Sequence, residues 1–222
     1  MSDRYVPAAG HAFLTPVYDS VNAVTMRQGR WRPRLIERAV GSSSAPMRIL
    51  DLGCGTGAMA LAIARASPSV QLIGVDGDAD VLERARAKAL AEGTKLELYE
   101  ALADRLPLPD ADVQCVVSTL MFHHLAPSTK RAALAEAWRV LVPGGRLLIC
   151  DVGRAGDPLM RAAFFAVQLL DGFANTREHA RGELPEIVSQ AGFSDVTVFG
   201  RFRTGGGTLE LIEALRPDSS RE

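Results

Sequence analysis

Two short stretches carry residues whose types and spacing could do chemistry. The first is Asp51-Leu52-Gly53-Cys54-Gly55-Thr56-Gly57, an acid followed by three alternating glycines, with Asp76 lying 23 residues past Gly53. Glycines in that spacing admit left-handed backbone and let a ligand approach the main chain, and a helix starting behind them offers unpaired N–H groups. An acid about twenty residues on can accept both hydroxyls of a ribose. The second stretch is His123-His124. Histidine titrates near neutrality and is the usual general base, so this pair could take a proton from a reacting group.

Gly53, Gly55 and Ala58 also satisfy the dinucleotide pattern G-x-G-x-x-G/A, which raises an NAD(P)-dependent oxidoreductase as an alternative. Charge decides between the ligands. Asp51 would face a pyrophosphate with a like charge, whereas it would attract a cofactor bearing an ammonium and a sulfonium. S-adenosylmethionine is such a molecule, with a ribose for Asp76. A ligand-free strand–helix turn with Asp51 as a cap is the plain structural alternative.

The surrounding pattern places both stretches at the ends of strands. Apolar runs alternate with helical segments from residue 46 onward, the mark of a parallel sheet covered by helices. Strands are expected at Met47–Leu52, Val70–Asp76, Lys95–Glu100, Val113–Ser118 and Arg146–Asp151, with Pro143-Gly144-Gly145 as the turn before the last. Helices are expected at Ala58–Ala66, from an Asp78 cap to Ala91, at Thr129–Leu141, at 158–170 and at Glu183–Ala191. Asp195–Phe202 and Thr208–Leu215 read as a closing strand pair, the latter also open to a helical reading. Residues 1–45 read as a helical lid segment packed on the sheet, and residues 46–222 as the cofactor-binding domain.

Composition narrows the function. The 222 residues are 47% hydrophobic and 23% charged, enough for one substantial core, and 25 Lys+Arg against 26 Asp+Glu leave a net charge of −1. That balance argues against a nucleic-acid partner, which needs a basic field. No apolar run reaches the roughly 18 residues of a membrane span, and the first residues lack a signal-peptide core, so a cytoplasmic protein without membrane insertion is expected. Cys54, Cys115 and Cys150 are scattered, suiting neither a disulfide framework nor a zinc site; no metal is expected.

Ile49-Leu50-Asp51-Leu52-Gly53-Cys54-Gly55-Thr56-Gly57 resembles the first motif of class I S-adenosylmethionine-dependent methyltransferases. Gly74-Val75-Asp76-Gly77 resembles their ribose-binding acidic loop. Leu106-Pro107-Leu108-Pro109 with Val113–Ser118 resembles the approach to their fourth strand, and Leu141-Val142-Pro143-Gly144-Gly145-Arg146 the turn before the fifth. The match covers about residues 46–152 and is most similar to the small-molecule branch that includes the ubiquinone/menaquinone C-methyltransferases. The resemblance implies a doubly wound α/β fold, a mostly parallel seven-stranded sheet with helices on both faces and its last strand antiparallel. It implies that Asp51, Gly53, Gly55 and Gly57 hold the methionine portion, with Cys54 in the same loop. Asp76 would bind the ribose, with Gly77 and Asp78 against the adenosine. Leu102-Ala103 falls where many members place an acid and a small residue around the adenine; with a leucine there, recognition falls to the backbone at Ala103. Ser118 and Leu120 would face the reaction centre.

The chemistry expected is in-line methyl transfer to a small, rather apolar acceptor at O, C or N. His123, His124 and Tyr18 are the candidate catalytic residues; Tyr18, in Leu14-Thr15-Pro16-Val17-Tyr18-Asp19, resembles a segment near the cofactor in related enzymes. The quinone methyltransferases carry an Arg-Asn pair where this chain has His123-His124, so their specific chemistry does not transfer. Ser118-Thr119-Leu120-Met121 stands where amino-group methylases carry an Asn-Pro-Pro-Tyr-like sequence, which weighs against a nucleic-acid or protein acceptor. A cofactor-binding protein without methyl transfer is the other alternative. The helix at 158–170 reads as core, as a homodimer contact or as one wall of an acceptor pocket. The run Arg27–Arg34 reads as a solvated face paired with nearby acids, or as a contact for a phosphate, an acidic substrate or an anionic membrane surface.

Overall fold

The computed structural model describes residues 25–41 and 47–218; the Tyr18 expectation lies outside them. Its strands are β1 (Arg48–Leu52), β2 (Gln71–Asp76), β3 (Leu96–Glu100), β4 (Val113–Thr119), β5 (Leu141–Val152), β6 (Ser194–Thr204) and β7 (Gly207–Leu215). They form one mixed sheet in the order β3-β2-β1-β4-β5-β7-β6. β1 to β5 pair in parallel, and β7 runs antiparallel to both β5 and β6. The helices are α1 (Gln28–Val40), α2 (Ala58–Ala66), α3 (Ala79–Ala91), α4 (Pro127–Val140), α5 (Pro158–Asp171), α6 (Phe173–Arg181) and α7 (Leu184–Gln190), with a 3-10 turn at Phe122–His124.

Side chains alternate across a strand, so neighbouring residues enter opposite cores. Leu50, Leu52, Val116, Leu147 and Ile149 pack with Leu134 of α4 and Ile187 of α7. Ile49, Val117, Leu148 and Cys150 face the other way, onto Trp31 and Leu35 of α1, Met59 of α2 and Phe164 of α5. A near-continuous apolar strand is what such two-sided burial requires. Trp31 and Leu35 are fully buried, each contributing roughly 2–3 kcal/mol. The described part of the 1–45 segment is therefore seated on the sheet, and the chain entering it is tied to the β6–β7 turn by the Gly205 N–H bond to the Thr25 carbonyl.

Three features differ from the sequence expectations. β5 begins at Leu141 rather than Arg146, because Leu141 pairs with Val113 before the register shifts, and the Gly144 N–H donates to the Arg216 carbonyl. The segment Phe173–Arg181, left without an element, is α6. Residues 208–215 are strand, not helix: β7 is buried along nearly its whole length between β5 and β6. No helix among the described residues is long and apolar enough to cross a membrane.

Candidate active site

Strand order reverses between β1 and β4, so the loops leaving their carboxyl ends diverge and open a crevice there, the place where open α/β sheets bind ligands. The glycine loop forms one lip. Its Gly53 and Cys54 N–H groups both donate to the Val75 carbonyl, at 2.8 and 3.0 Å, stitching the loop to the end of β2. All three glycines have positive φ, but each for a different neighbour. A Cβ on Gly53 would lie 2.5 Å from Met121 Cγ, in the loop after β4, and one on Gly57 would crowd Ala85 of α3. A Cβ on Gly55 would meet nothing within 4 Å. Gly53 and Gly57 are thus needed by the protein's own packing, while Gly55 borders open space.

Two carboxylates flank that space. Asp51 is buried; its Oδ2 accepts the Ala60 N–H of α2 at 3.1 Å, while Oδ1 has no hydrogen-bond partner. Burial pushes its carboxyl up to about 7, and the nearby Asp76 charge adds to the rise. A buried carboxylate oxygen without a donor is costly, and an ammonium group would satisfy it. Asp76 takes the Gly55 N–H on Oδ2 at 2.8 Å and the Asp78 N–H on Oδ1 at 3.1 Å. Its pKa is also raised, chiefly by burial. Each oxygen retains a second lone pair for an incoming hydroxyl.

The remaining cofactor candidates divide by what their side chains touch. Gly77 follows Asp76 directly. The Asp78 carboxylate caps α3 through the Asp80 and Val81 N–H groups, leaving its backbone toward Asp76. Cys54 turns away from the crevice: a Cβ on Gly74 of β2 would lie 2.9 Å from its Sγ, and burial drives its thiol pKa well up. The Ser118 hydroxyl donates to the Leu52 carbonyl at 2.9 Å, clamping β4 to β1 at the reversal point. Leu120 has φ 55 and donates its N–H to the Cys150 carbonyl; left-handed backbone at a bulky residue costs roughly 1–3 kcal/mol and is characteristic of working sites. Leu102 is exposed just beyond β3, and Ala103 packs on the core.

The opposite lip is a buried polar network. His123 Nδ1 lies 2.6 Å from Asp151 Oδ1, at the end of β5, and the His123 N–H reaches Asp151 Oδ2. An ionised carboxylate only accepts, so the proton of this bond sits on Nδ1. Burial pushes the Asp151 carboxyl up, but the His123 ring and its hydrogen bond, with His179 nearby, outweigh it and hold the pKa well below the usual range. His179, fully buried on α6, donates Nδ1–H to the Val152 carbonyl at 2.7 Å, and its Nε2 has no partner. Burial lowers its pKa to about 4, against the partial opposition of Asp151. The His124 ring stacks on His123 at 4.0 Å between centroids, and the Asn175 side chain holds the His124 carbonyl. Beneath them Lys130 of α4, also buried, pairs with Glu178 at 3.1 Å.

The structure sets His123 and His124 together in the 3-10 turn after β4, against Asp151 of β5, whereas Asp151, His179 and Lys130 were not singled out from the sequence. Asp151 carries the same signal as Asp51 and Asp76, an acid near the carboxyl end of an apolar parallel strand. His179 carries no comparable signal. Among the described residues, no group of three or more His, Cys, Asp or Glu could hold a metal ion.

A family described as a methyltransferase domain matches residues 49–145, which span the glycine loop, Asp76 and the histidine pair. A ubiquinone/menaquinone biosynthesis C-methyltransferase of Syntrophotalea carbinolica is 32% identical over 212 residues, covering 87% of each chain. A demethylmenaquinone methyltransferase of Thermus thermophilus is 38% identical over 140 residues, 62% of each chain; here the match takes in less than two thirds of the relative's length. Among solved structures, the YcgJ protein of Bacillus subtilis superposes with a TM-score of 0.69 at 22% identity, covering 86% of this chain and all of that one. The chain belongs to the class I S-adenosylmethionine-dependent methyltransferases.

Proposed function

We propose that this protein methylates a small, rather apolar acceptor whose nucleophilic atom gives up a proton, an oxygen acceptor above all. The observation that carries the reading is the buried His123–Asp151 pair, set at the rim of the same crevice that the glycine loop borders. The site's donors and acceptors fit the cofactor. The partnerless Asp51 Oδ1 would take its ammonium, the open side of Gly55 its methionine portion, and Asp76 its ribose hydroxyls. Exposed Leu102 would lie over the adenine, whose edge falls to the Ala103 backbone. When bound, S-adenosylmethionine supplies a methyl group on a sulfonium, which leaves as a neutral thioether.

The rest is done by the chain. Ser118 and strained Leu120 fix the end of β4 against β1 and β5, and so fix the turn that carries His123. Holding acceptor and methyl in line can supply about 7–11 kcal/mol of the barrier. His123 Nε2 accepts the acceptor's proton, and Asp151 balances the imidazolium that forms. His124, stacked on His123, narrows the space in which that ring turns.

Relatives named for demethylmenaquinone methylation and for ubiquinone/menaquinone C-methylation make quinols and phenols the first acceptors to try, the labelled atom, oxygen or ring carbon, being read from the product. The purified chain, given methyl-labelled S-adenosylmethionine and a panel of phenols, quinols, amines and carbon acids, should label a phenol or quinol. Labelling of amines or carbon acids alone would reject the oxygen acceptor.

A further inference from the structure

The outer face of α5 has no partner among the described residues. Met160, Phe164 and Gln168 point into the protein, while Leu159, Phe165, Leu169 and Leu170 point out, Leu169 being 62% and Leu170 87% exposed. Phe173, at the start of α6, extends the patch through its ring contact with Phe165. Patches of large apolar side chains left in water mark interaction sites. Beside this one, α5 and α6 form a groove of about 370 Å³ lined by Arg161, Gln168, Phe173, Arg177, Ala180 and Arg181.

Among the described residues, the charged side chains that line the groove are all arginines. Arg161 is held by the Gln168 side chain, a neutral partner, and Arg177 makes no ion pair among the described residues. Arg181 reaches Glu183 at a loose 3.5 Å. The nearby acids Glu178 and Asp157 are committed to Lys130 and Arg131, and to Arg203. Guanidiniums converging on a groove suit phosphate oxygens. Apolar side chains next to them suit the acyl region beneath a layer of headgroups. A helix that is apolar outward and flanked by arginines is the composition of an element lying in a membrane interface.

We infer that the α5–α6 face docks onto an anionic phospholipid surface, the Arg161–Arg177–Arg181 groove taking a lipid phosphate and Leu169, Leu170 and Phe173 entering the acyl boundary. Charge complementarity selects this occupant over a second copy of the chain, which would bring like arginines together at a two-fold contact. Docking would place the crevice beside the phase in which apolar acceptors dissolve.

Sedimentation of the full chain with vesicles tests this. With about one third phosphatidylglycerol in phosphatidylcholine, the chain should sediment; with phosphatidylcholine alone it should stay in solution. Salt at about 0.5 M should release it. Arg177→Gln with Arg181→Gln should weaken binding roughly 20-fold, and Arg177→Lys with Arg181→Lys should restore most of it, since charge near the surface sets the attraction. Leu169→Glu with Leu170→Glu should abolish binding, while S-adenosylmethionine affinity and circular dichroism stay unchanged. Arg30→Gln with Arg34→Gln, on α1, should leave vesicle binding intact. The inference is overturned if the chain ignores all vesicles, including when inorganic phosphate alone binds the groove. It is equally overturned if the α1 variant loses binding while the α5 and α6 variants keep it, or if light scattering finds a dimer that Leu169→Glu/Leu170→Glu dissociates without any vesicle binding.

Discussion

The two lips of the crevice are built on opposite terms. The lip proposed for the cofactor is left incomplete by the protein: Asp51 Oδ1 has no donor and the space beside Gly55 is open. The lip proposed for the acceptor is almost closed on itself. Asp151 takes three hydrogen bonds from His123 and Val152, and His123, His179 and Lys130 are nearly or wholly shut off from solvent. An incomplete lip binds, because a ligand supplies what the fold withholds. A complete lip positions, because its groups are already fixed before any acceptor arrives.

That contrast can be broken most severely at Gly55. Gly55→Val should remove detectable S-adenosylmethionine binding, since a branched side chain both fills the open space and strains a φ of 51, itself a cost of about 1–3 kcal/mol. Circular dichroism should show the fold retained, and wild-type affinity by calorimetry would place the cofactor elsewhere. On the other lip, His123→Ala should cut turnover roughly 100-fold or more with cofactor affinity unchanged. A full rate would reduce that lip to scaffolding. Asp76→Ala should weaken cofactor binding by about 1.5–3 kcal/mol per charge-assisted hydrogen bond lost, read in the same titration. An unchanged affinity in the folded variant would put the ribose off β2.

A stability effect, not a binding one, separates positioning from binding through pH. His179 folds with a pKa near 4, below the roughly 6.5 of an exposed histidine. The unfolded chain therefore binds the extra proton first. The stability this histidine contributes is intact above about pH 6.5 and is lost as pH falls toward 4, by at most about 1.4 kcal/mol per pH unit. His179→Asn, which keeps a donor for the Val152 carbonyl, should flatten the decline in denaturant midpoint over that window. An identical decline would mean His179 is not buried neutral.

The same contrast explains what was legible in the sequence. The lip proposed for the cofactor is made of neighbours in the chain, and the spacing of Gly53, Gly55, Gly57 and Asp76 marks the loop and strand end that form it. His123 and Asp151 are 28 residues apart, and His179 is 28 further on, so their meeting depends on β4, β5 and α6 being folded together. α6 escaped notice for a related reason. Its buried positions are Thr176 and His179, so no apolar period marks it; it is held by the Asn175 and Glu178 contacts and ended by left-handed Gly182. β7 stayed open between strand and helix because a segment buried on both faces has no period to read. Ser118 lies at the end of β4 and Cys54 in the glycine loop, where the sequence reading set them, but only the fold shows the Ser118 hydroxyl spent on the Leu52 carbonyl and the Cys54 side chain packed on Gly74.

Calorimetry of S-adenosylmethionine against NAD, repeated across pH in buffers of different ionisation enthalpy, tests the central claim most directly. Asp51 stands at about 7 when its Oδ1 is partnerless, and an ammonium beside it favours the ionised form. Binding should therefore expel a proton near neutrality, and affinity should rise with pH, by at most tenfold per unit, levelling off above about 7. Micromolar S-adenosylmethionine binding with that proton release, and no NAD binding, is the expected result. NAD binding more tightly, or S-adenosylmethionine affinity flat from about pH 5.5 to 7.5 with no proton released, would contradict the account.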